Sequence, residues 1–161
     1  EAVDGLRVIF TMPNSDTGRD VIADAIADYV DRHPDTSKAF ASLGLRRYLS
    51  ALHYAKAAVG NSSSGIIEVP SFGIPSLNIG DRQKGRLASE SVVNCGTGKD
   101  DILKGLRLCL SPEMRRRAKN AYNPYAKDGT ASLILDRLKH ADLAALRTKH
   151  FYDIPVKGWW H

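Results

Sequence analysis

Three consecutive serines, Ser62, Ser63 and Ser64, stand before Gly65, with Glu68 and Arg82 following in an order that suits a single anionic ligand. The serines offer hydroxyl donors. Gly65 lets the backbone approach a ligand with no Cβ in the way. A helix beginning near Gly65 would aim unpaired N–H groups and its positive dipole end at the same place, an arrangement that binds phosphate. Glu68, about one turn into that helix, supplies a carboxylate that can accept from a sugar diol. Arg82 can form paired hydrogen bonds to phosphate oxygens. In the plainer alternative the serines cap a helix and Arg82 is a solvated surface charge. The ordered set of Gly65, Glu68 and the basic turn DRQKGR favours the ligand.

Two apolar runs position these groups. Residues 57–60 (AAVG) lead into the serine turn, and residues 75–79 (PSLNI) lead into the basic turn. Both read as buried parallel strands. Turns that follow such strands lie at the carboxyl edge of the sheet, where open α/β sheets bind ligands. Pro70 falls inside the short helix after Glu68 and ends or kinks it. Upstream, residues 6–12 predict a strand, residues 13–18 a turn, and residues to His33 a helix closed by Pro34. Val21, Ile22, Ala25, Ile26, Tyr29 and Val30 recur there at helical spacing. Asp16 or Thr17 can cap that helix. A short strand over 36–41 and a helix over 45–55 follow, with Tyr48, Leu49, Leu52 and Ala55 inward. His53, without a nearby partner, reads as structural or exposed.

Downstream, a helical start at Ala88 runs into a strand at 91–94. Gly96-Thr97-Gly98-Lys99 lacks the spacing of a P-loop and reads as a turn into a helix over 101–110. Ser111 and Pro112 cap and open the next helix. Residues 123–129 form a loop, and residues 130–148 a last helix. Trp159 and Trp160 close a tail, 151–161, that is expected to dock elsewhere or to be disordered. The expected class is α/β, a doubly wound parallel sheet with helices on both faces, over residues 1–150.

Length and composition bound the reading. The sequence has 161 residues, 43% hydrophobic and 25% charged, which suits one domain with its own core. No run approaches the ~20 apolar residues of a membrane span. No signal-peptide pattern opens the chain, which starts at Glu1 rather than Met. Cys95 and Cys109 lack metal-ligand spacing and point to a reducing compartment, the cytoplasm. The charge of +5 is dispersed among acids such as Asp24, Asp28, Asp31, Asp100 and Asp101. Its densest cluster, Arg115-Arg116-Arg117, belongs on the outer face of a helix. This argues against a dedicated nucleic-acid surface and leaves a general attraction for an anionic nucleotide. No acidic cluster suits magnesium, so neither a metal nor a cofactor is expected.

The stretch NSSSGIIEVPSFGIPSLNIGDRQKGR resembles the hydrolysing UDP-N-acetylglucosamine 2-epimerases of sialic-acid-type sugar biosynthesis, and so do MPNSDTGRDVI and SLGLRRYLSALHYAKAAVG before it. The likeness is dense over residues 8–97 and looser beyond. It implies the carboxyl-terminal, Rossmann-like half of a two-domain GT-B-type enzyme, apparently lacking its first βα unit. The nucleotide would lie on this half, with chemistry in the cleft facing an amino-terminal domain. The active-site histidine would lie upstream of Glu1, and the acid/base carboxylates in the other half. None of His33, His53, His140, His150 or His161 falls in the matching motif, so no catalytic residue is assigned.

The UDP contacts that the resemblance implies are Asn14 near the UDP, Leu43 and Gly44 at the base, Asn61, Ser62, Ser63, Ser64, Gly65 and Arg82 around the diphosphate, and Glu68 on the ribose. Asn14 closing its own turn, and Leu43 as a helix-entry staple, stay open beside those roles. In the Asn123-Pro124-Tyr125 loop, Ala126 stands where the family has glycine. For the intact enzyme the implied reaction converts UDP-N-acetylglucosamine and water to N-acetylmannosamine and UDP. The alternatives are a GT-B glycosyltransferase donor domain and a non-catalytic UDP-binding module. The implied partners are UDP or a UDP-sugar, the amino-terminal domain, and a second copy covering an exposed sheet edge, with no membrane and no specific nucleic acid.

Overall fold

The structure, a computed structural model, describes residues 5–13, 18–148 and 151. The chain divides into two compact units, Glu1–Ala126 and Lys127–His161. The expected caps Asp16 and Thr17 and the tryptophan tail lie outside the described residues.

The first unit begins with β1 (Val8–Thr11), α1 (Arg19–Arg32), β2 (Ser37–Phe40), α2 (Gly44–Tyr54) and β3 (Ala58–Gly60). It continues with α3 (Ser64–Ile67), a 3-10 turn (Val69–Phe72), β4 (Ser76–Ile79), β5 (Val92–Cys95), α4 (Lys99–Leu110) and α5 (Pro112–Asn120). Among the described residues every strand pairing is parallel, as βα connections require. β1 pairs with β2, and β4 lies between β3 and β5. The α/β class holds, but the ladder is broken: among the described residues β1–β2 and β3–β4–β5 are separate sheets. Ile9 on β1 and Val59 on β3 stay more than half exposed, at 56% and 52%.

Sheet β3–β4–β5 is covered on both faces, as neighbouring residues of β4 show. A Cβ on Gly65 would lie 2.7 Å from Ser76 Oγ, and a Cβ on Gly105 of α4 would lie 2.4 Å from Leu77 Cδ1. Adjacent strand residues point to opposite faces, so α3 and α4 flank the sheet from opposite sides. Leu77, Ile66, Val69, Cys109 and Ala118 make the fully buried centre. On the other sheet, Phe10 of β1 meets Tyr29 of α1 edge-on at 5.5 Å, and Tyr29 stacks on His33 at 4.5 Å.

Some boundaries follow local chemistry. Ser111 Oγ accepts from Met114 N at 3.1 Å with Pro112 opening α5, as the sequence predicts. Arg115, Arg116 and Arg117 are exposed on that helix. The strand β5 has no helical lead-in, because residues 87–89 are irregular. In the second unit, α6 spans only Thr130–Lys139, shorter than the predicted 130–148. Asp142 Oδ1 accepts from Ala144 N and Ala145 N, which opens a new 3-10 turn (Ala145–Arg147) and stops α6 from continuing.

Cys95 and Cys109 are both free thiols. Burial, with a smaller push from Cys95, raises the Cys109 thiol from 9.0 to about 11. Between those values the unfolded chain loses this proton while the folded chain keeps it. Stability should therefore fall as pH rises from about 9 to about 11, by no more than ~1.4 kcal/mol per pH unit. Urea titrations across that range check it; an equally steep loss in Cys109→Ala would assign the effect elsewhere.

Candidate functional site

β3 and β4 run parallel with Gly60 opposite Asn78. The turns after them, residues 61–65 and 80–86, therefore leave the sheet at the same carboxyl edge. Gln83 joins them: its Nε2 donates to the Asn61 carbonyl at 2.8 Å. Gln83 is 6% exposed, whereas Asp81, Arg82, Lys84, Gly85 and Arg86 around it are exposed. The charged turn is thus pinned by its single uncharged polar side chain, with the Arg82 side chain at the surface beside it.

The serine turn is tighter than its sequence implies. Ser64 N donates to Ser62 Oγ at 3.3 Å, Gly65 N to the Ser62 carbonyl at 3.1 Å, and Ile66 N to the Ser63 carbonyl at 3.0 Å. The amides of Ser64, Gly65 and Ile66 are already engaged, so the expected array of unpaired N–H groups is not present there. α3 has four residues, too few to build a strong macrodipole. Ser63 sits at its N-cap without a side-chain capping bond, so simple capping does not explain that serine. Ser64 Oγ is hydrogen-bonded to Tyr48 Oη of α2. Burial raises the Tyr48 pKa; Glu68 adds to the rise and the Ser64 bond opposes it. Tyr48 is thus a polar partner of the turn as well as an inward residue of α2. Gly65 also has a different reason from the expected one. The space that its Cβ would need holds Ser76 Oγ, so the close approach is between α3 and β4.

Glu68 ends α3, half-buried, and its charge acts on Tyr48. Gly44 opens α2 at φ 62°, and its N–H donates to Ser42 Oγ at 3.1 Å, a turn in which glycine costs little. Leu43 precedes it as the N-cap residue. Gly44 and Tyr48 are separated by about 6 Å of helix rise, so α2 brings the 42–44 loop to the neighbourhood of the serine turn. Leu43 lines an open groove of about 640 Å³ with Ile9, Phe40, Arg46, Arg47 and Tyr54. That groove is walled by β1, β2 and α2; the serine turn is not in its lining. Asn14 lies outside the described residues.

Two further loops meet this region. Asn123 is 6% exposed; its Nδ2 donates to the Ile67 carbonyl at 2.9 Å and to Ser71 Oγ at 2.7 Å, while its Oδ1 accepts from Tyr125 N at 3.0 Å. It ties the Asn-Pro-Tyr loop to the segment that carries Glu68. Tyr125 Oη donates to the Leu87 carbonyl at 3.0 Å, anchoring the chain just after the basic turn. At the end of β5, Asp101 occupies the turn after Cys95: its Oδ2 lies 2.6 Å from where a Gly96 Cβ would be. A carboxylate there repels phosphate, which agrees with reading residues 96–99 as a helix entry. No group of three metal-ligating side chains occurs among the described residues. None of the described helices is long and apolar enough to cross a membrane.

Sequence reasoning missed Tyr48, Gln83 and Asn123 as members of this constellation. Gln83 had one signal, an uncharged polar residue among charged ones; Asn123 had another, an Asn before proline in a loop.

Parallel strands with covering helices and loops gathered at one carboxyl edge define a Rossmann-like α/β fold. Comparison with known proteins makes the assignment specific: the chain belongs to the UDP-N-acetylglucosamine 2-epimerase family, whose sequence profile matches residues 1–139. It is 33% identical over 151 residues to polysialic acid biosynthesis protein P7 of Escherichia coli, covering 91% of this chain and 37% of that protein. It is 36% identical over 148 residues to the GDP/UDP-N,N'-diacetylbacillosamine 2-epimerase (hydrolyzing) of Campylobacter jejuni, covering 91% of this chain and 38% of that one. The chain thus spans little more than a third of the length of these relatives. A crystal structure from Listeria monocytogenes, provisionally labelled a UDP-N-acetylglucosamine 2-epimerase, superposes with a TM-score of 0.64. That match has 20% identity and covers 93% of this chain and 39% of the other.

Proposed function

We propose that this chain is the nucleotide-binding half of a hydrolysing epimerase that converts UDP-N-acetylglucosamine and water to N-acetylmannosamine and UDP. The observation that carries it is the pairing of the serine turn with the basic turn through Gln83 and Asn61. In this reading the Ser62 and Ser63 hydroxyls and Arg82 receive the diphosphate and stabilise the charge that collects on it as it leaves. Asn61 and Gly65 shape the turn, and Ser64 is oriented by Tyr48. Glu68 holds the ribose, so that binding energy far from the reacting carbon positions the sugar. Leu43 and Gly44 receive the base, with Asn14 nearby. The acid/base groups come from an amino-terminal domain. In this reading a further parallel strand fits between β1 and β3, each of which has an edge without a ladder among the described residues. The free cysteines suit a reducing cytoplasm.

Calorimetric titration with UDP tests the site. Glu68→Ala should weaken UDP about tenfold, the worth of a charge-assisted hydrogen bond. Arg82→Ala should weaken UDP about tenfold while leaving uridine nearly unchanged. Equal losses for UDP and uridine would sink the phosphate role of Arg82. No saturable UDP binding by a folded chain joined to its upstream segment would sink the site.

A further inference from the structure

We infer that Gln83 is the positioning residue that holds the serine turn in register with Arg82. This rests on the reading of that edge as a diphosphate site. The Gln83 amide is satisfied at one end only. The Nε2 of Gln83 donates to the Asn61 carbonyl at 2.8 Å, but its Oε1 is buried and has no hydrogen-bond partner among the described residues. Swapping the two amide atoms would not help, because it would set one carbonyl oxygen against another. A buried carbonyl oxygen without a donor costs free energy. A methionine would fill the same space without that cost, so packing does not account for glutamine here.

What glutamine supplies is a long-range donor. It spans 22 positions of sequence and joins the peptide that begins the serine turn to the residue after Arg82. Both anchor points lie just past paired strands, since Gly60 faces Asn78 across the ladder. The strands set where both turns leave the sheet, and Gln83 ties the middle of the basic turn to the first peptide of the serine turn. On β4, Asn78 repeats the pattern: its Nδ2 donates to Asn94 Oδ1 at 2.8 Å while its own Oδ1 is buried without a partner among the described residues. The edge is therefore held by side-chain amides that donate across neighbouring segments. Gln83 acts through Arg82 and the serines and is not itself a phosphate donor in this scheme.

Amide hydrogen exchange and UDP titration test the assignment together, in Gln83→Met, Gln83→Glu and the unaltered chain. Met keeps the volume and removes the donor. Glu keeps the shape but sets an anion against the Asn61 carbonyl. Faster exchange across residues 61–66 in both variants, with thermal melting of Gln83→Met close to the parent, is the expected result. UDP affinity should fall about five- to tenfold in Gln83→Met and further in Gln83→Glu, with uridine affinity little changed. Gln83→His, which restores an N–H donor, should recover part of the loss. Unchanged exchange in residues 61–66 for both Met and Glu would overturn the brace. Equal losses of UDP and uridine would overturn its positioning role and leave it a structural contact. Failure of the parent to bind UDP would count against the nucleotide site, while the exchange result would still decide the brace.

Discussion

Asn123→Asp should destabilise the first unit by about 3 kcal/mol, the order expected for breaking a buried hydrogen-bond network and leaving a charge in its place. The asparagine is almost sealed from solvent and uses both ends of its amide. Aspartate retains the acceptor for Tyr125 N. It cannot donate to the Ile67 carbonyl, and it puts a negative charge at a buried position. Asn123→Leu should cost a similar amount, because it strands the Ile67 carbonyl and the Tyr125 N–H. Ser71→Ala removes one bond and should cost about 1 kcal/mol. Urea unfolding of the three variants checks the ranking. A near-parental midpoint for Asn123→Asp would mean that the loop is not clamped to the α3 segment as described.

The second large effect runs against helix propensity. Gly105 lies inside α4, where alanine would ordinarily stabilise by about 1 kcal/mol. Here the added methyl would stand 2.4 Å from Leu77 Cδ1 and 3.5 Å from its Cγ, and Leu77 is fully buried on β4. With no exit for that side chain, helix and strand must separate. Gly105→Ala should therefore destabilise by about 2 kcal/mol net, the usual range for overpacking. The diagnostic is coupling. Leu77→Val trims the clashing end, so the double variant should be more stable than the sum of the single losses by at least ~0.5 kcal/mol. Additive losses would show that the clash is not the cause.

The same two glycines show where sequence reasoning reaches its limit. Gly65 looks like a ligand-approach glycine, and nothing in the sequence singles out Gly105. Each is instead the point where a helix touches β4, one on either face. A residue's neighbours across the fold are not encoded in its local spacing. Tyr48 makes the same point: its helical position predicts an inward side chain, and only the docking of α2 shows that its hydroxyl reaches Ser64. The long final helix failed for a different reason. Leu143 and Leu146 continue an apolar period, but Asp142 offers the backbone a competing acceptor and the chain turns.

By itself the sequence determined the alternation of strands and helices, the class of fold and the family, because apolar period, proline, capping residues and motif order are local properties. It also determined that two polar turns follow two parallel strands. Only the tertiary structure decided that Gln83 binds those turns together, that Asn123 clamps the segment bearing Glu68, and that the strands divide into two sheets. Those outcomes depend on donors, acceptors and strand edges meeting across tens of residues. A buried polar group must find its partner wherever the packed chain puts one, and no spacing rule predicts that meeting.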